Sequence, residues 1–361
     1  MFQGKIREKR VFVKSTKEEG KQMRKSLLVL TAAVMAMFLF AGASMAADDT
    51  VYLNMGSTSS TSGLYAWCVA GAAVMNKADI GVKVTVIESG AALDNLRRMK
   101  EGAFDFAFCV DLPSAMQMYK GMDTFEGEQW QDVRWLFVRN IIADRVYVRE
   151  DSGVKSWADL AGKSFCPGMP GSSGANYMMK IDEVLGTGVK FRPAAYGDAI
   201  TLLKQKQIIG LQKSSTMDAM DSSLIEVNLT TPITAIGFTE EQVDKVREVY
   251  PYLNFLKTEK GAIKQLPEAG PMYEECPIVG AVASTLMSQE TAYKIIKAYV
   301  EGFEEVAAAY SGVKGWDPIA DYFKYAAPGG EIPAHAGLVQ YAKEQGIDVP
   351  ERFIPPEYEE K

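Results

Sequence analysis

From residue 51 onward, short apolar runs of strand length alternate with stretches of helical period, and this alternation restricts the chain to an α/β architecture. Residues 51–55 read as a strand and 64–76 as a helix, with Leu64, Trp67, Cys68, Gly71 and Met75 near one face. Val82, Val84 and Val86 alternate with Lys83 and Thr85, the period of a half-buried strand. Residues 91–101 are helical and stop at Gly102; 104–110 is a dense apolar run of the kind that fills a buried parallel strand. Strands are predicted at 133–138 and 145–149, then a one-turn helix starting at Ser156. A second βαβ series follows: strand 164–166, helix 175–185, strand 189–192, helix 198–206 and strand 208–212. Thr239 caps a helix that Pro251 ends, 278–286 is another apolar strand, and Ser288 caps one long amphipathic helix reaching about Tyr310. Two αβ series and a returning segment predict two α/β lobes joined by a hinge. The first lobe is 47–140, the second 141–238, and 239–361 returns to the first lobe with C-terminal helices. The hinge is expected at 140–145 and near 236–238.

The N-terminus differs from the rest. Residues 1–26 are strongly basic, residues 27–41 are apolar except for Thr31, and small residues follow up to Ala46. A basic region, a short apolar run and a small-residue site are the parts of a secretory signal peptide, here expected over 1–46 with cleavage near Ala46 and a periplasmic product. An uncleaved anchor is the alternative, although the run is shorter than the roughly 20 residues of a membrane span. Met23 is a second candidate start. Residues 1–46 hold 9 of the 39 Lys and Arg and 3 of the 46 Asp and Glu, so 30 basic and 43 acidic residues remain, a net charge of −13. An acidic product lacks the electrostatic footprint of a nucleic-acid or anionic-lipid binder. Cys68, Cys109, Cys166 and Cys276 match no zinc spacing. Each lies in an apolar or strand-like segment, which favours buried thiols over a disulfide.

Four small polar loops stand between strands and helices: 56–63, 88–91, 168–174 and 212–216, the last before a helical segment near 217–226. Helix N-termini expose unpaired N–H groups and a partial positive charge, so they bind carboxylates without needing an arginine. One such loop is usually only a cap. Several at the carboxyl ends of strands in an open α/β sheet line a ligand crevice. The residues expected to contact a ligand are Ser59, Ser60, Thr61, Tyr65, Ser89 and Asp111 from the first lobe. From the second they are Gly171, Ser172, Ser173, Gly174 and Ser214.

Enzyme signatures fail. Gly162-Lys163-Ser164 resembles the end of a phosphate-binding loop, but the first glycine of that motif is replaced by Trp157. His335 is the only histidine, which leaves little from which to build a triad or most zinc sites. No catalytic residue, metal or cofactor is expected.

Several segments in order resemble the TAXI-type solute receptors of TRAP transporters. They are the Ser/Thr/Gly loop running into Leu64-Tyr65, Glu88-Ser89-Gly90-Ala91 with Asn95-Leu96, and Glu101-Gly102-Ala103-Phe104-Asp105-Phe106-Ala107. Further along come Arg149 to Ser156 with Asp159-Leu160-Ala161-Gly162-Lys163, then Thr230-Thr231-Pro232-Ile233 and Ile332 to Gly337. The similarity runs from about 51 to 348. It implies a periplasmic binding protein of type II, a monomer that captures a small carboxylate-bearing ligand, an amino acid or an organic acid, and hands it to a sodium-driven TRAP permease. A receptor for an ABC importer or a sensor kinase, or an exported enzyme on the same scaffold, are the alternatives. Two departures bear on the ligand. The first loop is richer in serine than the family pattern. Val110 stands where the family often has a glutamine, with a new carboxylate next to it at Asp111, which is either the cap of the helix after Pro113 or an acid favouring an amine or hydroxyls.

Overall fold

The computed structural model describes residues 50–326 and 332–360; the expected signal peptide, 1–46, lies outside the described residues. Residues from Val51 onward form one compact unit built on two five-stranded sheets. The first sheet contains β1 (Val51–Gly56), β2 (Val82–Ile87), β3 (Phe106–Asp111), β4 (Val133–Ile141) and β12 (Ile278–Ser284), in the order β2-β1-β3-β12-β4. β1 runs parallel to β2 and β3, while β12 is antiparallel to both β3 and β4. The apolar run ending in β3 is therefore buried on both faces as expected, but parallel on one edge only.

The second sheet is built on β5 (Ala143–Arg149), with β8 (Gly210–Ser215), β9 (Ile233–Ile236), β10 (Phe255–Thr258) and β11 (Met272–Glu275). β5 pairs antiparallel with β8, β9 and β11, so the second series is not the parallel sheet its βαβ pattern suggests. The parallel pairing there is confined to the two-residue strands β6 (Ser164–Phe165) and β7 (Lys190–Phe191) and a bridge from Cys166 to Leu211. The period of two along β5 shows how this sheet is buried: Val146 and Val148 enter one apolar cluster and Tyr147 the other, on opposite faces. The first sheet has a larger cluster, in which Trp67 stacks on Phe108 at 4.3 Å and Phe137 on Tyr299 at 4.2 Å.

Helices cover both sheets. α1 (Gly63–Lys77), α2 (Ala92–Lys100) and α3 (Leu112–Lys120) follow β1, β2 and β3. α4 (Ser173–Leu185), α5 (Tyr196–Lys204), α6 (Ser222–Thr230) and α7 (Glu240–Val249) belong to the middle of the chain. Near the end lie α8 (Gln289–Glu301), α9 (Phe303–Ala309) and α10 (Ala336–Glu344). The helix expected near 217–226 begins only at Ser222, because Asp221 is its cap and 217–220 form a turn. The single helix expected from Ser288 to about Tyr310 is divided at Gly302, whose missing side chain admits Val74 of α1; a Cβ there would lie 2.6 Å from the Val74 Cβ. No helix among the described residues is long and apolar enough to cross a membrane.

The chain passes from the first sheet to the second at Ile142, between β4 and β5. It passes back at Cys276-Pro277, between β11 and β12. Residues 239–275 were expected to return to the first lobe; instead β10 and β11 extend the second sheet. Both are four-residue strands without clear alternation, too short to carry a local signal of which sheet they join.

Candidate functional site between the two sheets

A cavity of about 80 Å³ lies where both sheets end. All four small polar loops reach it: Thr58 and Ser62 from the first, Ala91 from the second, Gly168, Met169 and Ser172 to Gly174 from the third, and Gln212, Lys213 and Ser214 from the end of β8. Among the predicted residues, Asp111, Ser172, Ser173, Gly174 and Ser214 line it, whereas Ser59, Ser60, Thr61, Tyr65, Ser89 and Gly171 are not part of its lining. Ser59 bonds Thr61 within its own turn, at 2.9 Å between hydroxyls. Ser60 gives its amide and hydroxyl to Glu88 at 2.8 and 3.1 Å. The Ser89 hydroxyl donates to the Ser57 carbonyl at 2.8 Å, tying the first two loops together. The Gly171 carbonyl accepts from the amides of Leu93 and Asp94, a contact between the two halves beside the cavity.

One wall is the start of α4. Ser172 is its N-cap, accepting from the Ala175 amide at 3.3 Å and donating to the Met169 carbonyl at 2.8 Å. The amides of Ser173 and Gly174, one residue further on, have no partner among the described hydrogen bonds. Gly174 is required by space: a Cβ there would lie 2.9 Å from both Asp144 Oδ2 and Gln212 Nε2. Gln212 is buried and its Nε2 has no acceptor. Lys213, also buried, donates to the Ser62 hydroxyl at 2.6 Å, sits 3.9 Å from Asp221 and lies over the Tyr196 ring at 4.8 Å. A helix start, an unpartnered amide and an ammonium thus face one space.

The opposite wall is acidic. Asp111 is the N-cap of α3, taking the Ser114 amide and hydroxyl at 2.9 Å each, and it also lines the cavity. Tyr177, from α4, donates to Asp111 at 2.6 Å; burial, then the Asp111 charge, raises its phenol well above the usual range and keeps that proton in place. Asp144 accepts from Ser214 at 2.6 Å. Burial, with Asp111 nearby and against the Ser214 bond, pushes its carboxyl up to about 6. Burial and then the charges of Asp144 and Asp111 push the Glu275 carboxyl well above the carboxylate range.

Asp144, Gln212 and Lys213 were not among the predicted contacts. The available signal was a charged or amide side chain inside an otherwise apolar strand: Asp144 follows Ile141, Ile142 and Ala143, and Gln212 and Lys213 follow Ile208 to Leu211. His335, by contrast, is structural. Its Nδ1 caps α10 by accepting from Gly337, its Nε2 faces the Ser284 carbonyl at 3.3 Å, and burial lowers it to about 4.

Residues 55–346 match the NMT1-like family. The chain belongs to that family. Among solved structures it is similar to the arginine-, lysine- and histidine-binding protein ArtJ of Geobacillus stearothermophilus: 13% identity, TM-score 0.46, covering 76% of this chain and 99% of that one. It is also similar to the GluR0 ligand-binding core of Nostoc punctiforme in complex with L-glutamate: 10% identity, TM-score 0.43, coverage 73% and 99%. A third is the alkanesulfonate-binding protein SsuA of Xanthomonas axonopodis pv. citri bound to MOPS: 13% identity, TM-score 0.42, coverage 84% and 95%.

Proposed function

We propose that this NMT1-like protein is a periplasmic solute receptor, a monomer and not an enzyme, that encloses a small carboxylate-bearing molecule and delivers it to a TRAP-type permease. The observation that carries the capture step is the convergence of the α4 amides, Gln212 and Lys213 on one enclosed space between the sheets. The ligand carboxylate sits at Ser173 and Gly174, where the helix start favours negative charge. The sole histidine is spent on capping α10, which supports binding over catalysis.

The acidic wall narrows the class toward an amino acid. Asp144 Oδ2 and Gln212 Nε2 flank the same point at Gly174, an acceptor beside a donor, as an ammonium beside a carboxylate requires. A plain acid would add a third negative charge beside Asp144 and Asp111, with Lys213 the one cation in the lining to offset them.

Contacts between the halves describe a closed form: Tyr177 to Asp111, Lys213 to Ser62, Asn176 to Thr124 at 2.9 Å, and both Lys180 and Tyr252 to Asp123. Opening is a hinge motion about Ile142 and Cys276-Pro277, the two crossings between sheets. Delivery to a TRAP permease rests on the ordered TAXI-like segments.

The binding test is calorimetry with matched pairs at pH 7.5: glycine with acetate, L-alanine with propionate, L-glutamate with glutarate. At least one amino acid is expected to bind ten times or more tightly than its partner acid. Tighter binding of the acids would remove the ammonium assignment and leave the receptor reading; no binding across the panel would remove both. For delivery, uptake by a reconstituted sodium-driven permease is expected to depend on this protein, and dependence with an ATP-driven permease instead would overturn that step.

A further inference from the structure

Cys68 on α1 and Cys109 on β3 bring their sulfurs to 3.5 Å inside the first half of the molecule, both buried and both free. They stand 41 positions apart in the chain. We infer that these two thiols form an oxidisable pair whose disulfide is made and broken through the ligand cavity.

Three observations support this. Cys109 lines the cavity, so a small reagent reaches one sulfur when the halves part, whereas Cys68 lies behind it. Cys109 has a positive φ of 57°, a conformation unusual outside glycine, which fixes its side chain toward α1 rather than along the regular strand alternation. Arg139 and Lys213 bias Cys109 toward the thiolate: its thiol is lowered, first by the Cys68 hydrogen bond and then by these two cations against burial. The thiolate is the nucleophile in exchange.

The step balances with a small disulfide such as oxidised glutathione as the oxidant. Cys109 thiolate attacks one glutathione sulfur, forming a mixed disulfide and releasing one glutathione thiolate. Cys68, on losing its proton, displaces the second glutathione and closes the Cys68–Cys109 bond. Two protein thiols are oxidised, one glutathione disulfide is reduced to two thiols, and the protons pass to the departing thiolates. Closing the bond draws the sulfurs from 3.5 Å to about 2.05 Å. Cys166 also borders the cavity but faces the Gly168 carbonyl at 3.6 Å, and Cys276 contacts Met217 and the Glu274 carbonyl; neither meets a second thiol.

The test is to hold the folded, full chain in oxidised glutathione, quench with acid, alkylate in denaturant, and count and map thiols by mass spectrometry. The expected result is a fall from four free thiols to two, with one linked peptide pair joining Cys68 and Cys109. The Cys68→Ser/Cys109→Ser double variant should keep both remaining thiols under the same treatment, and a near-ultraviolet spectrum matching the wild type shows that it is folded. Four thiols retained in the wild type, a glutathione adduct on Cys109 without the internal link, or a link through Cys166 or Cys276 would each overturn the inference.

Discussion

Replacing Asp144 with Asn tests whether the acidic wall carries a buried charge held at an energetic cost. In the free protein the Asp144 carboxyl is raised from 3.8 to about 6, chiefly by burial. A folded value above the unfolded one means that the fold binds this proton more tightly than the unfolded chain does. The associated stability is complete below about pH 4 and is lost as pH rises through about 6. A shift of about two units corresponds to about 3 kcal/mol at 1.36 kcal/mol per unit, a large share of the usual 5–15 kcal/mol. Asn keeps an oxygen to accept from Ser214, whose hydroxyl lies 2.6 Å away, and carries no charge. Ligand-free Asp144→Asn should therefore be more stable than the wild type by about 3 kcal/mol at pH 8. With an m-value near 3 kcal/mol per molar, the urea midpoint rises by about 1 M. At pH 4 the two proteins should agree to within about 1 kcal/mol, because the wild-type carboxyl is then protonated in the fold. Urea titrations at pH 4, 6 and 8 give the comparison. A difference independent of pH, or a variant less stable at pH 8, would refute the buried-charge reasoning.

Three other outcomes follow from the same geometry. Gly174→Ala places a methyl 2.9 Å from Asp144 Oδ2 and Gln212 Nε2; calorimetry should show affinity reduced at least tenfold, with a stability loss of only about 1–3 kcal/mol. Glu274→Ala strips the partner from buried Arg145, which it binds at 2.6 and 3.0 Å, and should cost about 3–5 kcal/mol in urea unfolding. It should also loosen the 216–219 turn, whose carbonyls Arg145 holds. His335 is lowered by burial to about 4, so its contribution is present above about pH 6.5 and lost as pH falls toward 4. His335→Asn should remove about 3 kcal/mol of acid destabilisation across that window, and an unchanged pH profile would contradict the assignment.

The first half of the fold was legible because its strands are long and its signals agree. The β2 alternation, the apolar β3 run and the Gly102 stop each reflect a period or a terminator set by local chemistry. The second sheet was not, because pairing direction is decided by tertiary contacts: β5 reads the same whether β8 lies parallel or antiparallel to it. The loops that reach the cavity were visible as small polar turns before helices. Which residue in each turn faces inward was not, since Ser59, Ser60 and Ser62 are chemically alike and only the turn geometry separates them. Asp144 and Lys213 were not legible because a charge near a strand end carries no local mark of burial, and theirs depends on the other half of the molecule.

Native mass spectrometry of freshly purified protein addresses the capture of a small molecule between the halves most directly. The account predicts a one-to-one adduct of amino-acid mass that is lost on unfolding and is absent after Gly174→Ala substitution. A bare protein mass that also shows no shift with added amino or organic acids, or an adduct retained unchanged by Gly174→Ala, would contradict it.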